Sequence, residues 1–144
     1  MTIKQLLDKK GREVHTIGPD ESVFEAIRRM AELGIGALVV TEGEDPVGIV
    51  TERDYARKVI LKGRSSKETP VRAIMTEEVI YIRPEQTIEE AMAIMTEKKV
   101  RHLPVMEEGR LAGIVSIGDV VKAIIENQQF VIDQLTNYIH GDRS

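Results

Sequence analysis

The chain has 144 residues, 42% hydrophobic and 31% charged, which suits one compact unit able to bury a core. With a net charge of −4, no lysine- or arginine-rich block, 3% aromatic residues and no Trp, it suits neither coverage of a nucleic-acid backbone nor stacking of single-stranded bases. The absence of Cys excludes disulfides, thiolate catalysis and Cys-based zinc sites.

Residues 1–11 read as a short helix with Ile3, Leu6 and Leu7 on one side and Gly11 as its stop. They are too few and too charged for a signal peptide, and no apolar run approaches the ~18 residues a membrane span needs. A cytoplasmic location is the expectation. Val14 to Ile17 predicts a brief strand before the Gly18-Pro19 turn. Ser22 with Glu25 forms a capping-box pattern, followed by a helix whose apolar face is Val23, Ala26, Ile27 and Met30, stopped by Gly34. Ile35 to Thr41 is a near-continuous apolar run and so a buried strand. A turn at Glu42–Pro46 returns the chain as a second strand, Val47 to Val50, and Thr51 begins a helix carrying Asp54, Tyr55, Ala56, Val59 and Ile60.

The polar stretch from Gly63 to Pro70 divides the chain: repeat 1 is placed at 12–63, a linker at 64–74 and repeat 2 at 75–126. The second half predicts a strand at Val79–Ile82 and a capping box at Thr87 and Glu90. A helix with the face Ile88, Ala91, Met92 and Met95 follows, then strands Leu103–Met106 and Leu111–Val115 around the turn Glu107–Arg110. A long helix from about Asp119 to Ile139 includes a C-terminal extension at 127–144. Sliding the chain by 65 residues aligns the halves without a gap, so that Val14 meets Val79, Met30 meets Met95 and Asp54 meets Asp119. This is an internal duplication. Neither half can bury its apolar face alone, so the two are expected to pack with pseudo-two-fold symmetry.

The most telling repeat is Gly48-Ile49-Val50-Thr51-Glu52-Arg53-Asp54, which returns as Gly113-Ile114-Val115-Ser116-Ile117-Gly118-Asp119. A hydroxyl followed three residues later by an acid at a helix start is a cap favoured by the helix dipole. The same carboxylate can accept from both hydroxyls of a ribose, beside N–H groups that suit a phosphate. Both readings can hold together. Arg101 and His102 enter a strand, where unpaired charge is costly, which points to a phosphate partner. The first half has Gly36 and Ala37 there, and Gly118 replaces Arg53, so the two sites are expected to be unequal. Lys98 and Lys99 read as a solvated helix end. Gly34 and Gly36 do not make a phosphate loop, and His15 and His140 read as surface residues.

Two strand–helix–strand–strand–helix units, each ending in Gly-apolar-Val-Thr/Ser-x-x-Asp, resemble a pair of CBS (cystathionine β-synthase) domains over about residues 12 to 126. Thr51 to Lys58, Arg101-His102-Leu103-Pro104-Val105, Val115 to Val121 and Asn137 to Gly141 are similar to the stand-alone CBS pairs of bacteria and plant organelles. The resemblance implies an α/β (α+β) fold of tandem βαββα repeats with a long C-terminal helix, paired as a homodimer. It implies a non-catalytic sensor with two adenine-nucleotide sites, for AMP, ADP, ATP, NAD(H) or S-adenosylmethionine. In it Thr51 with Asp54, and Ser116 with Ile117, Gly118 and Asp119, hold ribose and phosphate. Adenine lies against Thr16, Ile17, Gly36, Ala37 and Leu38 in one half and Tyr81, Ile82 and Leu103 in the other, while Arg53, Arg101 and His102 meet phosphate. The alternative is a dimeric interaction module that regulates a partner protein without a ligand. An enzyme is not expected: no Ser–His–acid spacing and no metal cluster can be read. The apolar stripe of the last helix, from Val121 to Ile139, is expected to meet another subunit rather than the N-terminal helix.

Overall fold

A computed structural model describes residues 1–139; His140 lies outside the described residues. In chain order the elements are α1 (Ile3–Lys10), β1 (Thr16–Ile17), α2 (Val23–Leu33), β2 (Ala37–Glu42), β3 (Asp45–Thr51) and α3 (Glu52–Tyr55). A π-helical turn, Ala56–Ile60, continues α3, and a 3-10 turn at Val71–Ala73 precedes α4 (Ile88–Lys98), β4 (His102–Glu107), β5 (Arg110–Ser116) and α5 (Ile117–Ile139).

The helix starts are held by hydroxyl caps. Ser22 Oγ accepts from Glu25 N–H and Thr87 Oγ1 from Glu90 N–H, and α2 stops at Gly34 in the left-handed region (φ 67). The full capping boxes expected at these two helices are only half formed. The Glu25 carboxylate turns instead to Arg28 and Arg29, and that of Glu90 to Gln86 and the Thr87 hydroxyl. Reciprocal boxes stand elsewhere, at Thr2–Gln5, Thr51–Asp54 and Ser116–Asp119.

In the first repeat β1 pairs parallel with β2, and β2 antiparallel with β3. The second repeat has β4 antiparallel to β5, with the same register shift after Val105 that the first shows after Val40. The strand expected at Val79–Ile82 is reduced to a single parallel bridge between Ile82 and Val105. Proline explains the loss. In the first repeat Val39 N–H donates to His15 O at 3.2 Å; the matching residue in the second is Pro104, which has no N–H to give.

Each repeat has its own core, and each core is completed by the segment that precedes the other repeat. Ile3, Leu6 and Leu7 of α1 pack with Ile82, Ile88, Met95, Leu103 and Val115, while Val71 and Ile74 join Ile17, Val23, Leu38 and Val59. The backbone contacts repeat as well. Ile3 and Lys4 donate to Gln86 O and Pro84 O at 2.8 and 2.9 Å; Val71 and Arg72 donate to Glu21 O and Pro19 O, both at 2.8 Å. Leu7 lies on Gly113, where an added Cβ would come within 2.8 Å of it, as Met75 lies on Gly48 at 2.9 Å. Burying side chains of this size stabilises by roughly 1.5–3 kcal/mol each, so α1 is part of the second repeat's core. Residues 64–74 likewise belong to the first repeat's packing: Phe24 N–H donates to Ser66 O and Val23 N–H to Thr69 O.

Val120 and Ala123 of α5 are buried, and Ile117 and Ile124 pack beside them. Beyond this the helix leaves the body. Ile125, Phe130, Ile132, Leu135, Tyr138 and Ile139 are all exposed, so α1 covers only the first turns.

Candidate functional site

The crossed packing puts one cavity beside each hydroxyl–acid pair, with walls drawn from both repeats. The first cavity, about 660 Å³, is lined by Thr51, Glu52, Arg53, Asp54, Arg57 and Lys58 of the first repeat. Its far wall is Glu78, Val79, Ile80 and residues 99–102 of the second. The second, about 440 Å³, sets Ser116 and Asp119 against Glu13, His15 and residues 34–37, with Lys10 on its wall. Gly36 lines both, and a Cβ there would meet Glu52 Oε1 at 2.9 Å and His102 Cε1 at 3.4 Å. The absence of a side chain at Gly36 keeps the middle of the molecule open.

Both acids are the N3 partners of a hydroxyl cap. Thr51 N–H and Oγ1–H donate to Asp54 Oδ2 at 3.0 and 3.1 Å, and Asp54 N–H returns to Thr51 Oγ1 at 3.1 Å. Ser116 N–H donates to Asp119 Oδ2 at 2.8 Å, and Asp119 N–H to Ser116 Oγ at 3.1 Å. The cap positions the carboxylate at the cavity wall rather than competing with a ligand role, since each Oδ1 takes no bond from the cap.

The two cavities differ in charge. Arg53, Arg57, Lys58, Lys99 and Arg101 face the first, five cations against the carboxylates of Glu52, Asp54 and Glu78, in a chain of net charge −4. The π-turn sets Arg57 and Lys58 on this wall; Lys58 Nζ donates to Ile74 O at 2.8 Å and lies 3.2 Å from Asp54 Oδ1. Such turns widen the helix by one residue and recur at functional sites. Arg53 donates to Lys99 O at 3.1 Å, tying the repeats together across the rim. In the second cavity Lys10 Nζ donates to Asp119 Oδ2 and to Ile114 O, both at 2.7 Å.

His102 is half-buried, and burial pushes its imidazole below the ordinary value; Asp119 pulls the other way, while Lys10 and Arg101 add to the lowering. It is therefore neutral at pH 7, and Arg101, exposed at the cavity edge, carries the charge that the sequence assigns to the pair. Burial raises the Asp119 carboxyl, but hydrogen bonds from Lys10 and Ser116 outweigh it and hold that group below the usual carboxylate value.

Of the residues singled out from sequence, Gly36, Thr51, Arg53, Asp54, Arg101 and His102 meet in the first cavity. Ala37, Ser116 and Asp119 line the second. Ile17, Leu38, Ile82 and Leu103 are core residues at 2% exposure or less and line neither. Thr16, Tyr81, Ile117 and Gly118 lie outside both linings as well. The apolar wall of the first cavity is instead Ile49, Val79, Ile80 and Val100, while Ile82 faces the core as its counterpart Ile17 does in the first repeat. Sequence reading missed Lys10, Arg57 and Lys58 and took Lys99 for a plain helix end. The one available signal was Lys99 itself, which stands at the helix stop where the first repeat has Gly34.

The CBS domain family matches residues 4–61 and 71–126. The chain belongs to that family. It is 41% identical to the CBS domain-containing protein CBSX3, mitochondrial, of Arabidopsis thaliana, over 97% of this chain and 72% of that protein. A solved CBS-domain structure from Burkholderia ambifaria is 53% identical, with a TM-score of 0.87 over 89% of this chain and 96% of its own. A hexameric CBS-CP12 protein from bloom-forming cyanobacteria superposes with a TM-score of 0.75 at 28% identity, over 84% of this chain and 70% of that one. The CBS pair, its mixed α/β fold and its kinship with plant-organelle and bacterial CBS proteins are thus as expected, and the protein is a CBS-pair regulatory module. Among the described residues no helix is long and apolar enough to cross a membrane, and no cluster of metal-ligating side chains occurs.

Proposed function

We propose that the first cleft binds an adenine nucleotide, AMP, ATP or NAD(H), and that the protein is a non-catalytic sensor of it. One observation carries the reading: a capped carboxylate, Asp54, shares a 660 Å³ cavity with an apolar wall and five cations drawn from both repeats. Asp54 Oδ1 accepts from the ribose hydroxyls, Ile49, Val79, Ile80 and Val100 flank the base, and Arg53, Arg57, Lys99 and Arg101 face phosphate. A ligand so placed touches both repeats at once, so it favours whichever arrangement of the halves closes the cleft. No step of bond making is assigned to any residue.

Thermal melting with AMP, ATP and NAD tests this. Saturation at a hundredfold excess over Kd stabilises by about 2.7 kcal/mol, and Asp54→Asn abolishes the shift. A melt unmoved by all three nucleotides sinks the reading.

The exposed face of α5 supports a second element, pairing with another copy of this chain. Ile125, Ile132 and Ile139 fall on one heptad position and Val121, Gln128 and Leu135 on another, spaced alternately by three and four. Isoleucine throughout the first position, with apolar Val121 and Leu135 flanking Gln128 at the second, makes a two-position seam of the kind that pairs helices in coiled coils. The same face would serve the alternative, a ligand-independent interaction module acting on a partner protein. The hexamer named for the cyanobacterial relative is consistent with assembly in this family. We place the protein in the cytoplasm, although the name of the plant relative says mitochondrial.

A further inference from the structure

The two clefts come from one duplicated design, yet the segments that lead into the repeats put different residues beside the two acids. The backbone contacts match Ile3 with Val71 and Lys4 with Arg72, and the packing matches Leu7 on Gly113 with Met75 on Gly48. Continued in step, that correspondence brings Lys10 opposite Glu78. Each of the two lines the cleft it reaches.

In the first half the chain after Met75 is extended. Thr76 and Ile49 exchange hydrogen bonds at 2.9 and 3.0 Å, which satisfies the Ile49 carbonyl, and Glu78 brings no cation to Asp54. In the second half the same stretch is helical as α1. Its backbone cannot bridge to Ile114, so Lys10 Nζ takes over, donating to Ile114 O and to Asp119 Oδ2 at 2.7 Å each. Asp54 also has a lysine nearby, Lys58, at 3.2 Å from the Oδ1 that a ribose would share. The Lys58 ammonium is the more loosely placed of the two, comes from the same helix as Asp54 and is held by Ile74 O, among four further cations that line the first cleft. Lys10 comes from a separate element and takes the oxygen already bonded to Ser116 N–H. The remaining wall, with Glu13, His15 and a neutral His102, offers no arginine for phosphate.

We propose that Lys10 is an internal latch that ties up the Asp119 carboxylate at the wall of the second cleft, so that each chain takes one nucleotide, in the first cleft only. This rests on the nucleotide reading of the first cleft and adds which site is competent and why. The helix that carries the latch is held in place, because Ile3, Leu6 and Leu7 fix α1 in the second core. The partner carboxylate stays ionised at neutral pH, held low by Lys10 and Ser116 against the effect of burial.

Native mass spectrometry and calorimetry with AMP read the stoichiometry of the full chain. Wild type is expected to take one AMP per chain. Lys10→Met, which keeps the apolar stem and removes the ammonium, is expected to take two, and Asp119→Ala added to it should return the count to one. Lys10→Gln, which can still donate to Ile114 O, is the second variant; both should melt near wild type, since the α1 core residues are untouched. Two AMP per wild-type chain would overturn the latch, as would one AMP in wild type and both variants. Binding by none of the proteins would reject the nucleotide reading itself and the latch with it. Binding by the variants alone would keep the latch and reject the first cleft.

Discussion

Lys99 stands at φ 57, in the left-handed region that the first repeat fills with Gly34 at φ 67. A side chain in that conformation costs about 1 kcal/mol of backbone strain, and glycine does not. The same residue lines the first cleft, with Arg53 bonded to its carbonyl. Strain kept at a site is a reason to look for use there. Lys99→Gly should therefore act in two directions, raising the unfolding free energy by roughly 0.5–1 kcal/mol and weakening AMP binding. Urea melts and titration calorimetry on the same sample check both signs. A variant that binds AMP as wild type does would reduce Lys99 to a helix end. Asp54 shows the complementary case, in which structure and ligand ask for the same residue. Its bonds to the Thr51 cap use Oδ2, so loss of the side chain breaks the reciprocal half of a capping box as well as removing a ligand group. Asp54→Asn is for this reason the better probe than alanine.

At the scale of elements, the packing of each lead-in segment on a glycine of the other repeat makes a second prediction. A Cβ at Gly48 would meet Met75 Sδ at 2.9 Å and the backbone carbonyl of Thr76 at 3.0 Å. At Gly113 it would meet only the end of the Leu7 side chain, at 2.8 and 2.9 Å. Side chains give way more readily than backbone. Gly48→Ala should cost about 1–3 kcal/mol, and Gly113→Ala less. Chemical denaturation of the two variants ranks them, and the reverse order would mean that α1 is the more firmly seated segment.

The same elements show what could be read without coordinates. Helices α2 and α4 were legible because their signals are local: Ser22 and Thr87 at the starts, apolar residues every three or four positions, Gly34 at one stop. The hydroxyl–acid pairs were legible for the same reason, a cap being a four-residue motif that happened to occur twice. The missing strand at Val79–Ile82 depends on the absent N–H of Pro104, some two dozen residues away, which apolar pattern cannot reveal. The crossed lead-ins were hidden by spacing. Gly11-Arg12-Glu13 add three residues before the first repeat, so the gapless alignment of the repeats puts α1 out of step with the segment before the second. Lys10 is invisible as a site residue until that packing is known, and Arg57 and Lys58 until the π-turn is.

For the molecule as a whole, the duplication supplies two equal frames, and charge then separates them. What it does not supply is a partner for α5, whose last four turns carry Ile125, Ile132, Leu135 and Ile139 into solvent, each more than half exposed. An apolar seam of that length is stable only when covered, and its heptad order suits a second α5 better than a flat groove. Ile132→Asp separates assembly from folding. In the single chain this side chain is 54% exposed, so the substitution should alter the stability of one subunit by no more than about 0.5 kcal/mol. In a paired seam it buries a carboxylate against the matching residue of the other copy, where like charges cannot be accommodated. Analytical ultracentrifugation should then show wild type as a dimer or larger and the variant as a monomer. AMP binding at the first cleft should be retained, because the walls that both repeats give it belong to the same chain and Ile132 is not among them. A variant that keeps the wild-type mass would remove α5 from the interface, and one that turns monomeric and loses AMP would make the cleft depend on the assembly.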